Sequence, residues 1–212
     1  MVKIIKINPK KPQNEIIKKA ALILKNGGLI VMPTETVYGI VANAYDAKAA
    51  GKIFRVKRRS RKKPFIVLVS KKSDIRKIAK NIPPEAEILT RKFWPGPLTL
   101  VLERKKSIPK VIAGGKNTIA VRMSPHPVVL SIIRALGSPI TAPSANLSGK
   151  SPHKTVEGVI NELGKKPEIS LILDAGKTLG GISTILDLTK KPFKILRTGK
   201  ISKKSLKIIK SY

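Results

Sequence analysis

The sequence predicts an α/β protein built on a twisted, mixed β-sheet with flanking helices, on three observations. Short runs rich in Ile, Val and Leu alternate along the 212 residues with segments whose apolar residues recur at helical spacing. Strands interleaved with helices are typical of a sheet covered by helices. The strands are irregularly spaced, so both parallel and antiparallel pairs are expected. No repeat or linker interrupts the pattern, which predicts one domain over residues 1–212.

The first elements follow from local patterns. KIIKI at 3–7 reads as a strand, and apolar residues at helical spacing predict a helix over Glu15–Lys25. Asn14 is the predicted cap of that helix, and Gly27-Gly28 ends it. The run GLIVM at 28–32 is a short strand that stops at a proline.

The middle of the chain repeats this alternation. Asp46 is predicted to cap a helix over 47–59, which leads into the apolar strand PFIVLV at 64–69. The same criteria predict helices over 73–79 and 83–93 and strands over 98–102 and 118–123.

The last part of the chain is predicted in the same way. An apolar helix over Pro127–Leu136 is ended by Gly137. The remaining predicted elements are a strand at 139–143, a helix at 155–163, strands at 169–174, 182–188 and 193–197, and a basic helix at 202–210.

Composition excludes several classes of protein. The chain has no cysteine, so it forms no disulfide or thiolate metal site. No apolar run approaches the roughly 20 residues that span a bilayer, and the alternating N-terminus lacks the continuous apolar stretch of a signal peptide. A hydrophobic fraction of 42% allows a sizeable core. We therefore expect a cytoplasmic protein without a membrane partner.

The charge is strongly unbalanced, with 44 Lys and Arg against 12 Asp and Glu and a formal net charge of +32. Such a field attracts polyanions, so an RNA-facing surface is one interpretation and compositional drift is the other. Aromatic residues make up only 4% of the chain, which disfavours base-stacking platforms for single strands.

Three familiar motifs for phosphate or metal binding are missing. The triplets Gly149-Lys150-Ser151 and Gly176-Lys177-Thr178 match the end of a P-loop, but Ser144 and Leu171 stand where its first glycine is required. There is no G-x-G-x-x-G, and the only histidines, His126 and His153, have no metal-ligand spacing. The sequence predicts no protein metal site.

Four polar loops lie next to predicted strands, at 33–39, 57–63, 142–149 and 180–184. Taken singly, they are as well explained by turns or by a solvated basic face. Arg122 and Arg197 add a cation at the end of two further strands. Ligands collect where strands end in α/β sheets, so the six features together favour one site for a polar, anionic ligand.

These residues are similar to those of the YrdC/TsaC family, from about Ile16 to Ser202. The opening stretch PTETVYGIVANAYD matches the family signature, Lys57 and Arg59 match its K-x-R pair, and Ser144 and Asn146 match its S-x-N pair. Further matching stretches are FWPGPLTLVL, VRMSPHPV, GGISTILDL and ILRTGKIS. The chain resembles the short, single-domain form of the family.

The resemblance implies a fold with a large, positively charged concave cavity. It also implies a threonylcarbamoyl-AMP synthase, a nucleotidyltransferase that converts L-threonine, bicarbonate and ATP into threonylcarbamoyl-AMP and pyrophosphate. The product's threonylcarbamoyl group is passed by partner proteins to tRNA, giving threonylcarbamoyladenosine. Mg²⁺ would bridge the phosphates, as in most nucleotide chemistry.

Site roles also follow from the resemblance. The residues implied in catalysis are Lys57, Arg59, Ser144 and Asn146. Those implied in ATP binding are the same four with Thr118, Ser151 and Arg197. Those implied in threonine binding are Thr34, Thr36, Arg122, Thr141 and Ser183. No residue stands out as a general base.

The chain departs from the family pattern at two places. The common K-G-R-P reads Lys57-Arg58-Arg59-Ser60 here, which exchanges a glycine for a charged side chain. Leu68 stands where relatives often carry a histidine. Two alternatives remain open: a double-stranded RNA or tRNA-binding factor of the same fold without synthase activity, which the net charge of +32 motivates, and a carbamoyl-transfer relative with another acceptor.

Overall fold

The computed structural model describes residues 2–164 and 166–209. Its strands are β1 (Lys3–Lys6), β2 (Leu29–Met32), β3 (Gly39–Asn43), β4 (Ile66–Leu68), β5 (Ala79–Lys80), β6 (Leu98–Arg104), β7 (Thr118–Arg122), β8 (Ile140–Thr141), β9 (Ile169–Asp174), β10 (Thr184–Asp187) and β11 (Lys194–Arg197). Its helices are α1 (Asn14–Lys25), α2 (Ala47–Val56), α3 (Ile75–Ile78), α4 (Pro84–Phe93), α5 (Pro127–Leu136), α6 (Val156–Leu163) and α7 (Lys203–Leu206), with a 3₁₀ turn at Lys72–Asp74.

All eleven strands belong to one mixed sheet, which confirms the predicted fold class. Ten of them lie in the order β1-β9-β2-β3-β8-β4-β7-β6-β10-β11, and β5 pairs with β6. The pairs β1/β9, β2/β9, β4/β7 and β6/β10 are parallel. The remaining pairs are antiparallel. The end of a strand therefore lies beside the ends of its parallel neighbours and beside the beginnings of its antiparallel neighbours.

Alternation of side chains along the strands divides the core into two layers. In β2, Leu29 and Val31 point to one layer, and Ile30 and Met32 point to the other. Helices α1 and α5 cover the second layer, whereas α2, α4 and α6 supply apolar residues to the first. The central strands are therefore buried on both faces, which explains why β2 reads as the uninterrupted apolar run LIVM, whereas the edge strands β1 and β11 are largely exposed and carry lysine.

The predicted helix ends are mostly confirmed. The Asp46 carboxylate accepts a hydrogen bond from the Ala49 N–H at 2.9 Å, as expected of a cap, and α5 ends at Gly137 with φ of 72°. The prediction that Asn14 caps α1 is wrong, because Asn14 is the first helical residue. Gln13 precedes the helix, and its side chain accepts the N–H of Asn8 at 3.1 Å.

Helix α2 ends earlier than predicted, at Val56 rather than at residue 59. The chain leaves the helix through Arg58, whose φ is 47°, and the Arg59 N–H donates to the Phe54 carbonyl at 2.9 Å. This bond and a left-handed residue form a Schellman ending, usually made with glycine. The turn frees Lys57 and Arg59 from the helix and starts the basic loop.

Strands β3 and β5 were not predicted. The sequence of β3, GIVAN, follows directly on a loop and becomes a strand by forming an antiparallel hairpin with β2. The two residues of β5 are extended only because they pair with β6. The predicted basic helix is shorter, with α7 covering Lys203–Leu206, and Lys210 lies outside the described residues. Within the described ranges no helix has the length and apolar character to cross a membrane.

Candidate functional site

Lys57 joins the two residues of the S-x-N pair. It follows α2, and its ammonium donates to the backbone carbonyls of Ser144 and Asn146 and lies 3.4 Å from Asn146 Oδ1. The side chain is only 1% exposed. An ammonium has three protons, so these three oxygens can satisfy it fully. In this arrangement Lys57 fixes the shape of the loop that follows β8.

Burial has a large effect on the cations of this cluster. Burial first, and the nearby charge of Arg59 second, lower the pKa of Lys57 to about 7. Burial also lowers the pKa of Arg59. The Arg59 guanidinium donates to the carbonyls of Lys63 and Pro64 at 3.3 and 3.0 Å and lies over the Phe65 ring. Arg59 therefore stays beside Lys57 on a rigid loop.

The other side of the S-x-N loop is held by an acid that the sequence analysis did not select. Glu162, near the end of α6, accepts the Leu147 N–H with one oxygen and contacts His153 Nε2 at 2.9 Å with the other. Asn146 Nδ2 donates to the carbonyls of Leu147 and Lys150, both at 2.7 Å. The loop is thus cross-linked from both sides by polar side chains.

A second cluster forms where β10 begins and β11 ends. These strands are antiparallel, with Ile185 opposite Arg197, so Ser183 lies beside the end of β11. Arg197 Nε donates to the Ser183 carbonyl at 3.0 Å, and Nη2 donates to Ser183 Oγ at 2.9 Å. The Thr99 hydroxyl also donates to Ser183 Oγ, at 2.9 Å.

Arg122 reaches the same edge of the sheet by register. It ends β7, which is antiparallel to β6, and β6 begins opposite the start of β10, at the Thr184–Leu98 pair. Its Nη1 forms an ion pair with Glu35, whose second oxygen accepts the Ser124 hydroxyl at 2.5 Å. Burial lowers the pKa of Arg122 to about 10, and the charge of Arg197 contributes to that shift.

The loop at 33–38 contacts both clusters. Besides the ion pair from Glu35, the Thr36 carbonyl accepts the N–H of Gly180 at 2.6 Å, in the segment before Ser183. The Tyr38 carbonyl accepts the Ala145 N–H at 2.8 Å, inside the S-x-N loop. Thr34 and Thr36 are buried, with their hydroxyls 2.9 Å apart. One short loop therefore contacts three other parts of the chain, at 122–124, at Ala145 and at Gly180.

The remaining predicted site residues are less closely connected. Thr141 is fully buried within the sheet, where its hydroxyl accepts the Ala42 N–H at 3.3 Å. Thr118 lies at the opposite end of β7 from Arg122, about 13 Å away at the usual rise per residue. Ser151 is exposed in the loop before α6. Leu68, opposite Arg122 in the β4/β7 pair, is fully buried in the apolar layer.

Sequence reasoning missed Glu35, Ser124, Thr99 and Glu162. A signal was present for Glu35, because an acid inside a predicted ligand loop is unusual in a chain with only 12 Asp and Glu residues. The other three lie in segments whose contacts depend on strand register or helix packing, which a sequence pattern does not reveal.

Of two cavities in the structure, the smaller one adjoins the predicted site. A cavity of about 220 Å³ opens beside Thr34 and Glu35, with His126 and the 175–179 segment on its other sides. A larger one, about 800 Å³, lies beside α4, and none of the predicted site residues line it. In the described part of the chain no group of three or more His, Cys, Asp or Glu residues could hold a metal ion.

The fold and the site define a mixed-sheet α/β protein with basic and hydroxyl side chains gathered around one connecting loop. The chain belongs to the Sua5/YciO/YrdC family, whose model, described as "Telomere recombination", matches residues 22–199.

Its relatives include the threonylcarbamoyl-AMP synthase of Pyrococcus abyssi, with 44% identity over 184 residues, covering 86% of this chain and 54% of that protein. The Bacillus subtilis protein of the same name is 39% identical, covering 91% and 56%. The crystal structure of P. abyssi Sua5 complexed with L-threonine superposes with a TM-score of 0.91 at 40% identity, covering 97% of this chain and 60% of that one. The chain thus spans little more than half the length of these relatives.

Proposed function

We propose that this chain is a threonylcarbamoyl-AMP synthase, a nucleotidyltransferase that joins L-threonine, bicarbonate and ATP and releases pyrophosphate. The observation that carries the proposal is the 33–38 loop. It connects the cluster around Lys57, which includes the S-x-N loop, to the cluster around Arg122 and Arg197. The relatives known as threonylcarbamoyl-AMP synthases and the threonine complex of P. abyssi Sua5 support the same activity. We propose further that residues 1–212 act as one domain.

The proposed nucleotide side is the Lys57 cluster with Arg197. Arg59 and Arg197 have guanidinium groups suited to phosphate oxygens, and Ser144 and Asn146 offer lighter hydrogen-bond partners. The Lys57 ammonium is directed at loop carbonyls, so its contribution acts through the position of that loop. Thr118 and Ser151 are the outer members of this proposed set.

The proposed binding site for the amino acid is formed by Arg122 and the hydroxyl side chains around it. Arg122 would bind the threonine carboxylate, with Thr34, Thr36 and Ser183 close by and Thr141 in the sheet beneath. In this proposal a carboxylate site lies next to a phosphate site, and Arg197 is near both because it contacts Ser183 and its charge lowers the pKa of Arg122.

The reaction needs positioning more than covalent chemistry. The threonine amine first forms a bond to the carbon of bicarbonate, and water leaves to give the carbamate. A carbamate oxygen then forms a bond to the α-phosphorus as the bond between that phosphorus and the bridging oxygen to the β-phosphate breaks, and pyrophosphate leaves with that electron pair. Two anions must therefore meet, and buried cations reduce their repulsion. The described residues provide no carboxylate cluster for a metal, so Mg²⁺ is proposed to arrive on the phosphates of ATP.

Pyrophosphate release from ATP tests the proposal. The purified protein should release pyrophosphate only when both L-threonine and bicarbonate are present, and the product should have the mass of threonylcarbamoyl-AMP. L-alanine replaces threonine in the matched control. Pyrophosphate release in the absence of L-threonine or of bicarbonate would contradict the proposed activity. So would no release when ATP, L-threonine and bicarbonate are all present.

The net charge favours a second candidate, an RNA-binding factor of this fold. We propose tRNA or a tRNA-modification complex as the partner, and therefore a cytoplasmic location. Binding of tRNA should weaken linearly on a log–log plot against salt, because each neutralised phosphate releases counterions. Steep salt dependence of tRNA binding, together with no pyrophosphate release, would favour the RNA-binding factor over the synthase. Salt-insensitive or undetectable tRNA binding would remove RNA as a direct partner.

A further inference from the structure

One edge of the Arg122 guanidinium has no protein acceptor. Arg122 is 5% exposed, and its one hydrogen bond among the described residues runs from Nη1 to Glu35. The Nε–H is buried and unpartnered among these residues. Nε and Nη2 together form one edge of the planar guanidinium group, and this edge binds a carboxylate through two parallel hydrogen bonds. A buried donor left without an acceptor is unfavourable, so the unpartnered edge indicates a place for an anionic acceptor.

Glu35 is held firmly in its position beside Arg122. One carboxylate oxygen accepts from Arg122 and the other accepts from the Ser124 hydroxyl at 2.5 Å. The loop that carries Glu35 is closed by Thr34, whose hydroxyl donates to the Val37 carbonyl at 2.7 Å. Both oxygens of Glu35 and the backbone around it are thus engaged, which disfavours its movement when a ligand arrives.

The charges point to the same role. Arg197 is close enough to lower the pKa of Arg122, so the site contains a buried and a half-buried cation that repel each other. Glu35 offsets one of those charges, while the Nε–H of Arg122 keeps no acceptor among the described residues. A carboxylate ligand at the Nε edge would complete the neutralisation.

We propose that Glu35 is a positioning residue that holds the Nη1 side of Arg122 so that its Nε edge faces the carboxylate of the amino-acid substrate. The inference rests on the proposed function for the identity of that substrate. Glu35 itself does not touch the substrate, and its effect passes through Arg122. The competing arrangement is that Glu35 occupies the place of the substrate carboxylate and is displaced by it.

Calorimetric binding of L-threonine to the full chain separates these arrangements. Glu35→Ala should weaken threonine binding at least tenfold, and Glu35→Gln, whose amide oxygen can still accept from Arg122, should recover most of that loss. ATP binding and the unfolding temperature show whether each variant is folded. The exposed acid Glu87, changed to alanine, is the matched control and should leave both ligands unaffected.

The ligand L-threoninol, which lacks the carboxylate, makes the test specific. The effect of Glu35→Ala should disappear with threoninol, because no carboxylate meets Arg122. Tighter threonine binding in both Glu35 variants would show that the substrate carboxylate displaces Glu35, and would overturn the proposal. Threonine binding by Glu35→Ala within threefold of the wild type would also overturn it. An equal loss with threonine and threoninol would also overturn it, by showing a structural effect or a direct contact. If the wild type binds no threonine, the proposed function fails instead.

Discussion

The Lys57 ammonium lies 2.5 Å from the backbone carbonyl of Asn146, a residue 89 positions further along the chain. It also donates to the Ser144 carbonyl, so one side chain positions both members of the S-x-N pair. The K-x-R and S-x-N motifs are therefore a single structural unit. Within this unit, the lysine contacts the serine and the asparagine directly, without a ligand between them.

Removing Lys57 should therefore affect both turnover and stability. Lys57→Ala is expected to lower pyrophosphate release by orders of magnitude and to cost about 2–4 kcal/mol in unfolding free energy, because two loop carbonyls lose their donor. Lys57→Met keeps the aliphatic volume and should lose activity to a similar extent. Arg59→Ala should reduce turnover with a smaller stability loss, since Arg59 is partly exposed. Full turnover in folded Lys57→Met would contradict the role given to Lys57.

Arg197→Lys tests the bidentate contact with Ser183. Lysine keeps the charge but cannot donate in parallel to the Ser183 carbonyl and hydroxyl, so its position near the proposed phosphates is lost. ATP is expected to bind about tenfold more weakly, measured by calorimetry, while threonine binding changes less than threefold. Arg91→Lys, at an exposed surface ion pair, is the control. An unchanged ATP affinity would place Arg197 outside the nucleotide site.

Arg58→Gly should stabilise the protein. Arg58 has φ of 47° in the turn that ends α2, a conformation that costs a non-glycine residue roughly 1–2 kcal/mol. Glycine removes that strain but loses more entropy on folding, so a net gain of about 0.5–1 kcal/mol is expected from urea denaturation. Arg55→Gly, inside the same helix, should destabilise by a similar amount. A loss of stability in Arg58→Gly would show that its side chain has a role which outweighs its backbone strain.

His126 should make the fold sensitive to acid. Burial lowers its pKa to about 4, whereas the unfolded value is about 6.5. Between these values the unfolded chain binds a proton that the native protein does not, so unfolding free energy falls as pH drops from 6.5 to 4. Because His126 is partly exposed, we expect its share to be about 1–2 kcal/mol.

The structural reason is that His126 Nδ1 accepts the Val128 N–H at the start of α5, and protonation removes this acceptor. Denaturant titrations at pH 6.5 and 4.5 measure the effect. His126→Asn keeps a helix cap without a titrating ring, so its loss of stability between the two pH values should be smaller than that of the wild type. Identical losses in the two proteins would exclude His126 as the source.

Much of the architecture could be predicted from local patterns. Helix α5 has the predicted ends because proline begins it and a left-handed glycine ends it. Strands β3 and β5 escaped prediction because each exists through pairing with a distant partner. Asn14 was misassigned as a cap because Asn is favourable both just before and just inside a helix start, and the local contacts of Gln13 decide between them.

The sequence by itself determined the fold class, the order of most elements and the loops in which cations and hydroxyls occur, because these depend on periodicity and on residues close together in the chain. Tertiary structure decided which of those side chains touch. The pairing of Lys57 with the S-x-N loop, of Arg197 with Ser183 and of Arg122 with Glu35 arises from strand register and helix packing across about 14 to 90 positions. Such long-range contacts are fixed by how buried strands align, and no local pattern in the chain encodes that alignment.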